Sequence, residues 1–480
     1  IISVACYNVF LHPLSRYPGP KLWSAFRFPY VISMRKGNLH RRMKKFHDVY
    51  GPIVRLAPNE LSYIDSRAWK DIYGNRPGHL PFERNRTWLK KMQPDEPPSI
   101  MGYDEEVHSR LRKAFVHAFS EKSLKEQAPV IESYVNTLVQ QLKHRCQPNN
   151  NAVIDLVQWL DFTTFDISGD LSFGESFDCL KNGKAHPWVK IAHDFGKGLA
   201  LISSINMYPP LDRLLWYILP KHIMQRQRDH RAMSAARAQK RLALDTNRPD
   251  FVTATKRYSD DKGSLSMPDW ELNMTILIFA GSETTASALS GILRMLLQNT
   301  DALTKLAGEI RANFRDESEI SIGTTGGFQY MNAVINEGLR LCPPSSIGVP
   351  RIVPKGGDTV CERVVPEGTY VAFNQFPANR SPQHFDSPDS FIPERCLHSE
   401  KEGAKDDTAA FQPFGLGRHS CIGMKLAYAE MRLILARLLY AFDISLADAE
   451  DVWDWGSQKT FIFWEKEPLR VVLRAAEQRL

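Results

Sequence analysis

The sequence predicts one large unit, mainly α-helical with a minor β region, and three observations carry that expectation. Apolar residues recur at helical spacing through most of 105–315, as at Ile131, Tyr134, Val135, Leu138, Val139 and Leu142. One stretch, from Ser266 to about Asn299, is apolar on every side in its middle, the mark of a helix buried through a core. Strand-like segments are short and split between the 50s–60s and the last third. Strands so far apart are expected to pair with each other, which argues for one interwoven unit.

The totals agree. A chain of 480 residues with 43% hydrophobic and 24% charged side chains is globular and long enough to bury a large core. A formal charge of +7 and a pI near 8.9 are mildly basic. No Arg/Lys run is interleaved with aromatics, so no nucleic-acid partner is expected; an acidic protein or an anionic membrane surface stays open. Seven scattered cysteines form no C-x-x-C pair, which fits a reducing compartment better than a zinc module or a disulfide scaffold.

In order, the chain opens at Ile1 on an apolar run to Leu11, too short for the roughly 20 residues a bilayer span needs. It reads as the remnant of a longer anchor or as a short buried segment. His12–Pro20 is a stiff, proline-rich exit. Residues 1–20 are therefore assigned to a membrane-proximal segment and hinge, and 21–480 to the catalytic domain. Ile53–Ile64 predicts a β-hairpin turning at Pro58-Asn59, and Asp65–Tyr73 a short helix. Residues 74–102, with prolines at 77, 81, 94, 97 and 98, form an irregular loop of the length that is usually functional. Ser120 caps a helix beginning at Glu121, Val153–Leu171 is core, and 186–245 holds two helices around an apolar turn at Pro209–Pro220. Strands return at Thr369–Phe373 and Leu469–Leu473.

Several local patterns bear on chemistry. In the long helix, Ser266-Met267-Pro268-Asp269 is a capped start, and about 30 residues would run roughly 45 Å. Its midpoint carries Gly281-Ser282-Glu283-Thr284-Thr285, a polar set that is costly inside a buried helix. A simple bend with threonines bonded to the preceding turn reads the same way. A widened groove with an acid and an alcohol to move protons is the functional reading.

Glu337 and Arg340 share one face at i, i+3; an exposed pair of that kind contributes about 0–1 kcal/mol. Phe391–Arg395 is a turn with a charged pair. Phe414–Gly423 is a glycine-punctuated loop whose single thiol, Cys421, precedes a helix start, where free N–H groups favour a thiolate. Gly417 and Gly423 are expected to let that backbone turn and a flat ligand come close. His108 and Arg112, one helical turn apart, make an anion site or an ordinary solvated basic face. Gly415-Leu416-Gly417 lacks the third glycine of a dinucleotide fingerprint and is discounted.

Together and in this order, the patterns resemble the cytochrome P-450 superfamily, the haem-thiolate monooxygenases. Ala280-Gly281-Ser282-Glu283-Thr284-Thr285 is similar to its long-helix motif, and Glu337/Arg340 to its E-x-x-R pair. Pro393-Glu394-Arg395 matches its proline-Glu-Arg turn, and Phe414, Gly417, Cys421 and Gly423 match its haem loop. The Tyr7–Trp23 segment resembles the hinge of membrane-bound members from filamentous fungi.

The resemblance implies that fold, haem b with Cys421 as axial thiolate and iron ligand, and protons delivered by Glu283 and Thr284 with Gly281 opening the groove. It implies haem contacts from His108, Arg112, Arg351, Phe414, Gly417, His419 and Gly423, and a structural triad of Glu337, Arg340 and Arg395. Phe279, Ala280, Ile347, Val349 and Phe461 would line the substrate pocket, with the 76–105 loop. It further implies O₂, and electrons from NADPH through a cytochrome P-450 reductase docking near Lys113, Arg418 and Lys425. Membrane association would be at the endoplasmic reticulum, facing the cytoplasm. The substrate would be a lipophilic specialised metabolite (terpenoid, polyketide, indole or peptide-derived), most commonly hydroxylated.

Two other functions stay in view: a haem-thiolate isomerase, dehydratase or peroxide user, and a haem-binding protein without turnover. The sequence also departs from the family pattern. His419 stands where the haem loop usually carries arginine, Cys396 follows the proline-Glu-Arg turn in place of an aromatic residue, and a full transmembrane anchor is absent.

Overall fold

The structure of the protein, a computed structural model, describes residues 1–476 except 91–96, 98, 147–151, 210–211, 215–220, 259–264, 398–405 and 452. Its central element is the Met267–Gln298 helix, 32 residues long. Ser266 and Asp269 close a reciprocal capping box at its start, and Pro268 occupies the first turn. Arg110 adds two bonds to Asp269, 3.0 and 3.1 Å, which tie that start to the Glu105–Phe115 helix. The central helix is long and apolar enough to cross a membrane, but it is mostly buried against other helices and is the core of the fold.

The helices of the middle of the chain pack around it. Leu156–Phe173 is buried along nearly its whole length and lies against the central helix. Glu121–Cys146 buries Ile131, Val135, Leu138, Val139 and Leu142, the face that the periodicity predicts. Met424–Ala441 and Gln329–Leu341 also pack on the central helix. Pro187–Asn206 and Lys221–Ala243 are the two helices expected in 186–245. Much of the apolar turn between them, at 210–211 and 215–220, lies outside the described residues, as do 91–96 and 98 of the long proline-rich loop.

The β region is built by distant partners. Ile53–Ala57 and Glu60–Tyr63 form the predicted hairpin, and Glu60–Tyr63 then pairs in parallel with Tyr370–Phe373. Arg351–Ile352 and Glu83–Arg84 complete that five-stranded sheet. A second sheet places Arg470–Ala475 between Val153–Asp155 and Phe442–Leu446. Two small hairpins, Asp358–Val360 with Arg363–Val365 and Lys459–Phe461 with Phe463–Glu465, stand apart.

Two expectations need correction. In Asp65–Tyr73 the regular winding is confined mainly to Trp69–Tyr73 and is of the π type. The apolar run at the N-terminus is not a buried segment: Ile2–Cys6 and Tyr7–Leu11 are helical, and Ile2, Val4, Phe10 and Leu11 are exposed. Polar contacts tie this segment down. Asn8 donates to the Ala25 carbonyl at 2.9 Å, and Arg55 donates to the Asn8 carbonyl at 2.8 Å.

Candidate haem-thiolate site

The thiol loop closes on itself before it meets anything else. The Cys421 N–H donates to the Phe414 carbonyl at 2.7 Å, and the Gly415 N–H to the Gln412 carbonyl at 2.9 Å. Gly417 has φ +77°, and a Cβ there would collide with the Tyr73 carbonyl oxygen, so only glycine fits. Gly423 behaves otherwise than expected. Its φ is −88° and a Cβ would meet only ordinary contacts, so the sharp turning falls to Gly415 and Gly417. Arg112 fixes the far side of the loop, donating to the Ser420 carbonyl at 2.7 Å and to its hydroxyl at 3.3 Å. Phe414 packs on Tyr428 of the following helix, with ring centres 5.1 Å apart.

Cys421 is exposed by surface area yet lies within the protein's bulk, and desolvation pushes its thiol above the ordinary value. The Gly423 N–H and Arg112 oppose this but do not outweigh it. The expectation that the helix start alone favours a thiolate is thus overturned: burial wins. A metal ion would reverse the balance, because a coordinating thiol is deprotonated outright.

Beside the loop lies a cluster of cations with too few anions. Arg84 and Arg351 are direct partners across an antiparallel strand pair, an arrangement of like charges that destabilises by itself. Arg351 is buried, and its Nη1 has no hydrogen-bond partner among the described residues. The His108 ring bonds the Ile100 carbonyl at 2.8 Å and packs on His419 with centres 4.3 Å apart. His419 Nε2 comes within 3.1 Å of Glu105, but the two are not aligned for a hydrogen bond, and that nitrogen is also orphaned. Desolvation first, then Arg351, Arg84, His108 and Arg418, hold the His419 imidazole far below its ordinary value, so it is neutral.

Burial likewise depresses Arg84, to about 9, and Arg351. Glu105 is already shared with Arg418 at 3.1 Å. Two orphaned buried nitrogens amid an excess of cations call for anionic oxygens, which is what the two propionates of a haem supply. Arg84 belongs to no motif, and only its strand partner identifies it.

On the central helix the polar midpoint divides between two faces. Thr284 is partly exposed and bonds back to the Ala280 carbonyl at 2.6 Å, with Ala280, one turn earlier, exposed beside it. Glu283 points elsewhere. It is buried and accepts from Lys466 Nζ at 2.7 Å. Gly281 does not open a groove on the accessible side: a Cβ there would stand 2.8 Å from Ser168 Oγ, so its small size admits the Leu156–Phe173 helix.

The Glu/Arg motifs converge. Arg340 holds Glu337 through two bonds of 2.8 and 2.7 Å, and Arg395 Nε donates to the same carboxylate at 3.0 Å. Glu337 is fully buried, so this is not the weak surface pair that spacing alone allows. Arg395 reaches on to Asp406 at 2.6 Å, in the segment that leads into the thiol loop. Cys396, in the same turn, has its thiol pushed up to about 12 by burial.

The pocket candidates separate into two groups. Ile347, Val349 and Phe461 share an apolar cluster with Trp88 and Leu89, whereas Phe279 stacks on Phe195 at 5.4 Å in the main core.

Comparison with known proteins bears directly on this arrangement. The sequence model of the Cytochrome P450 family matches residues 17–472. The chain is 42% identical over 466 residues to the cytochrome P450 monooxygenase astJ of Aspergillus oryzae, covering 96% of this chain and 92% of that protein. It is 41% identical over 473 residues to the cytochrome P450 monooxygenase astA of Talaromyces wortmannii, covering 98% and 94%. With the trichothecene C-15 hydroxylase of Fusarium sporotrichioides it shares 37% over 475 residues, covering 98% and 95%. Likeness of this depth runs through the helical core and the distant strands alike, so the chain belongs to the cytochrome P450 family and is a haem-thiolate monooxygenase of specialised metabolism.

Proposed function

We propose that the chain hydroxylates a lipophilic specialised metabolite at the face of the central helix where Ala280 and Thr284 are accessible. Electrons would come from NADPH through a cytochrome P-450 reductase. The observation that carries this reading is the pairing of the Cys421 loop with the orphaned nitrogens of Arg351 and His419. Haem, when bound, supplies the redox-active iron, whose axial thiolate favours cleavage of the O–O bond.

The residues divide the remaining work. Cys421 ligates the iron, and Phe414, Gly417 and Gly423 shape the loop that presents it. His108, Arg112, Arg351 and His419, with Arg84, hold the propionates, His419 as a neutral ring. Thr284 and Glu283 move protons to the accessible face. Glu337, Arg340 and Arg395 brace the segment entering the loop. Ile347, Val349 and Phe461, with Phe279 and Ala280, give the substrate an apolar wall, and a relative named as a hydroxylase supports the reaction type.

The exposed apolar residues of 2–11 support docking on the endoplasmic reticulum membrane with the catalytic unit in the cytoplasm. Lys113, Arg418 and Lys425 form the basic side offered to the reductase. Arg418 and Lys425 are already in exposed pairs with Glu105 and Glu121, so the cost of freeing them is small.

The reduced, carbon-monoxide-bound protein is expected to show the absorption band of thiolate-ligated haem, and Cys421→Ala to lose it. A folded native protein lacking that band would defeat the reading. Turnover with reductase and NADPH, set against peroxide alone, separates a monooxygenase from a peroxide user.

A further inference from the structure

Lys466 belongs to no motif, yet it joins two acids deep in the core. It lies between the Phe463–Glu465 and Arg470–Ala475 strands and reaches inward. Its Nζ stands 2.8 Å from Asp161 Oδ1, on the Leu156–Phe173 helix, and 2.7 Å from Glu283 Oε1. All three side chains are buried, at 3%, 7% and 5% exposure. Burial disfavours the ammonium, but the two carboxylates outweigh it and hold Lys466 above its ordinary value. One ammonium is therefore shared by two acids.

Sharing distinguishes this cluster from a plain buried ion pair. Were Glu283 the sole partner, its departure would strand a bare ammonium in the core, at a prohibitive cost. With Asp161 in place, Lys466 stays paired when Glu283 lets go. Glu283 is adjacent in sequence to Thr284, whose side chain emerges on the accessible face, and Ser287 Oγ lies 3.5 Å away, at the edge of bonding, one turn on. The carboxylate thus has an anchored position and a neighbouring outlet.

We propose that Lys466, itself held by Asp161, is a positioning residue that keeps Glu283 anchored off the accessible face and releases it for proton transfer. This rests on the reading of Glu283 and Thr284 as proton-delivery residues. In one cycle a water-derived proton joins the Glu283 carboxylate, which cancels its attraction to the ammonium. The neutral acid turns towards Thr284 and passes that proton to the accessible face. The regenerated carboxylate returns to Lys466, so charge and protons balance.

The test uses the haem-loaded protein with reductase and O₂ alone, without added substrate. It measures NADPH oxidation, the share of electrons recovered as hydrogen peroxide, and the rate ratio between H₂O and D₂O. Lys466→Met is expected to slow oxidation about tenfold, below the usual contribution of a positioned proton donor, and to change the solvent isotope ratio. Lys466→Arg should recover most of the loss. In a Glu283→Gln background, Lys466→Met should add no more than about twofold, because the lysine acts through that carboxylate.

Infrared spectroscopy supplies a reading independent of turnover. Lys466→Met leaves two carboxylates face to face, so one takes up a proton; the new protonated-carboxyl band should be missing from the Lys466→Met/Glu283→Gln double variant. Should Lys466→Met fail to bind haem, Asp161→Asn decides: it leaves Glu283 as the lysine's only acid and should slow oxidation while the carbon-monoxide band persists. A Lys466→Met rate within about twofold of native, or an undiminished effect in the Glu283→Gln background, overturns the proposal. Native-like oxidation by Glu283→Gln alone overturns the proton-delivery reading beneath it.

Discussion

Glu430 is a carboxylic acid with no ion-pair partner among the described residues. It lies on the helix that follows Cys421, 2% exposed, and desolvation pushes it up to about 8, with only a hydrogen bond from Thr285 opposing. Between its ordinary value of 4.5 and about 8 the folded protein keeps a proton that the unfolded chain has lost. The stabilisation from that difference is complete below the ordinary value and disappears as pH rises through the folded one. The melting temperature is therefore expected to fall from about pH 5 to about pH 8, and Glu430→Gln to shrink that fall. An unchanged pH slope in the variant would show that Glu430 ionises freely in the fold. Glu283 is equally buried but has Lys466 beside it, and that cation is what lets a core carboxylate keep its charge.

At the scale of elements, the thiol loop depends on a backbone shape that one methyl group would spoil. Alanine at 417 would combine a left-handed φ with a Cβ driven into the Tyr73 carbonyl, which belongs to the π-wound Trp69–Tyr73 turn. Neither backbone yields cheaply, so Gly417→Ala should cost haem retention, read as a smaller ratio of haem to protein absorbance after purification. Gly423→Ala, with room for its Cβ, should lose much less; equal losses would contradict the assignment. Most elements are legible in the chain. The capping box at Ser266 and Asp269, the buried face of Glu121–Cys146 and the Pro58-Asn59 hairpin all follow from spacings of a few residues. The 69–73 turn is less so: Trp69 is packed against Phe373 of a strand some 300 positions on, and no local periodicity encodes that contact.

Across the whole molecule, the β region and the helical core cannot be separated without breaking both. Glu60–Tyr63 pairs with Tyr370–Phe373, and Arg470–Ala475 joins Val153–Asp155 to Phe442–Leu446. Loss of helix and loss of tryptophan packing should therefore coincide in urea, with one midpoint by far-ultraviolet circular dichroism and by fluorescence. Two separated midpoints would mean that the sheets melt independently of the central helix.

By itself the sequence determined the helix-rich class, the long buried helix, the thiol loop and the Glu337/Arg340 pair, because each is written in neighbours a few residues apart. It also singled out His419 as a departure. Only the tertiary structure decided what these residues meet. Lys466 reaches Glu283 across 183 positions and Asp161 across 305, and Arg84 faces Arg351 through strand pairing. Arg395 closes on Glu337 from 58 positions away. The physical reason is that charge states in a core are set by burial and by partners that the fold delivers from afar. Spacing along the chain names the candidates; desolvation and pairing in space assign them their charge.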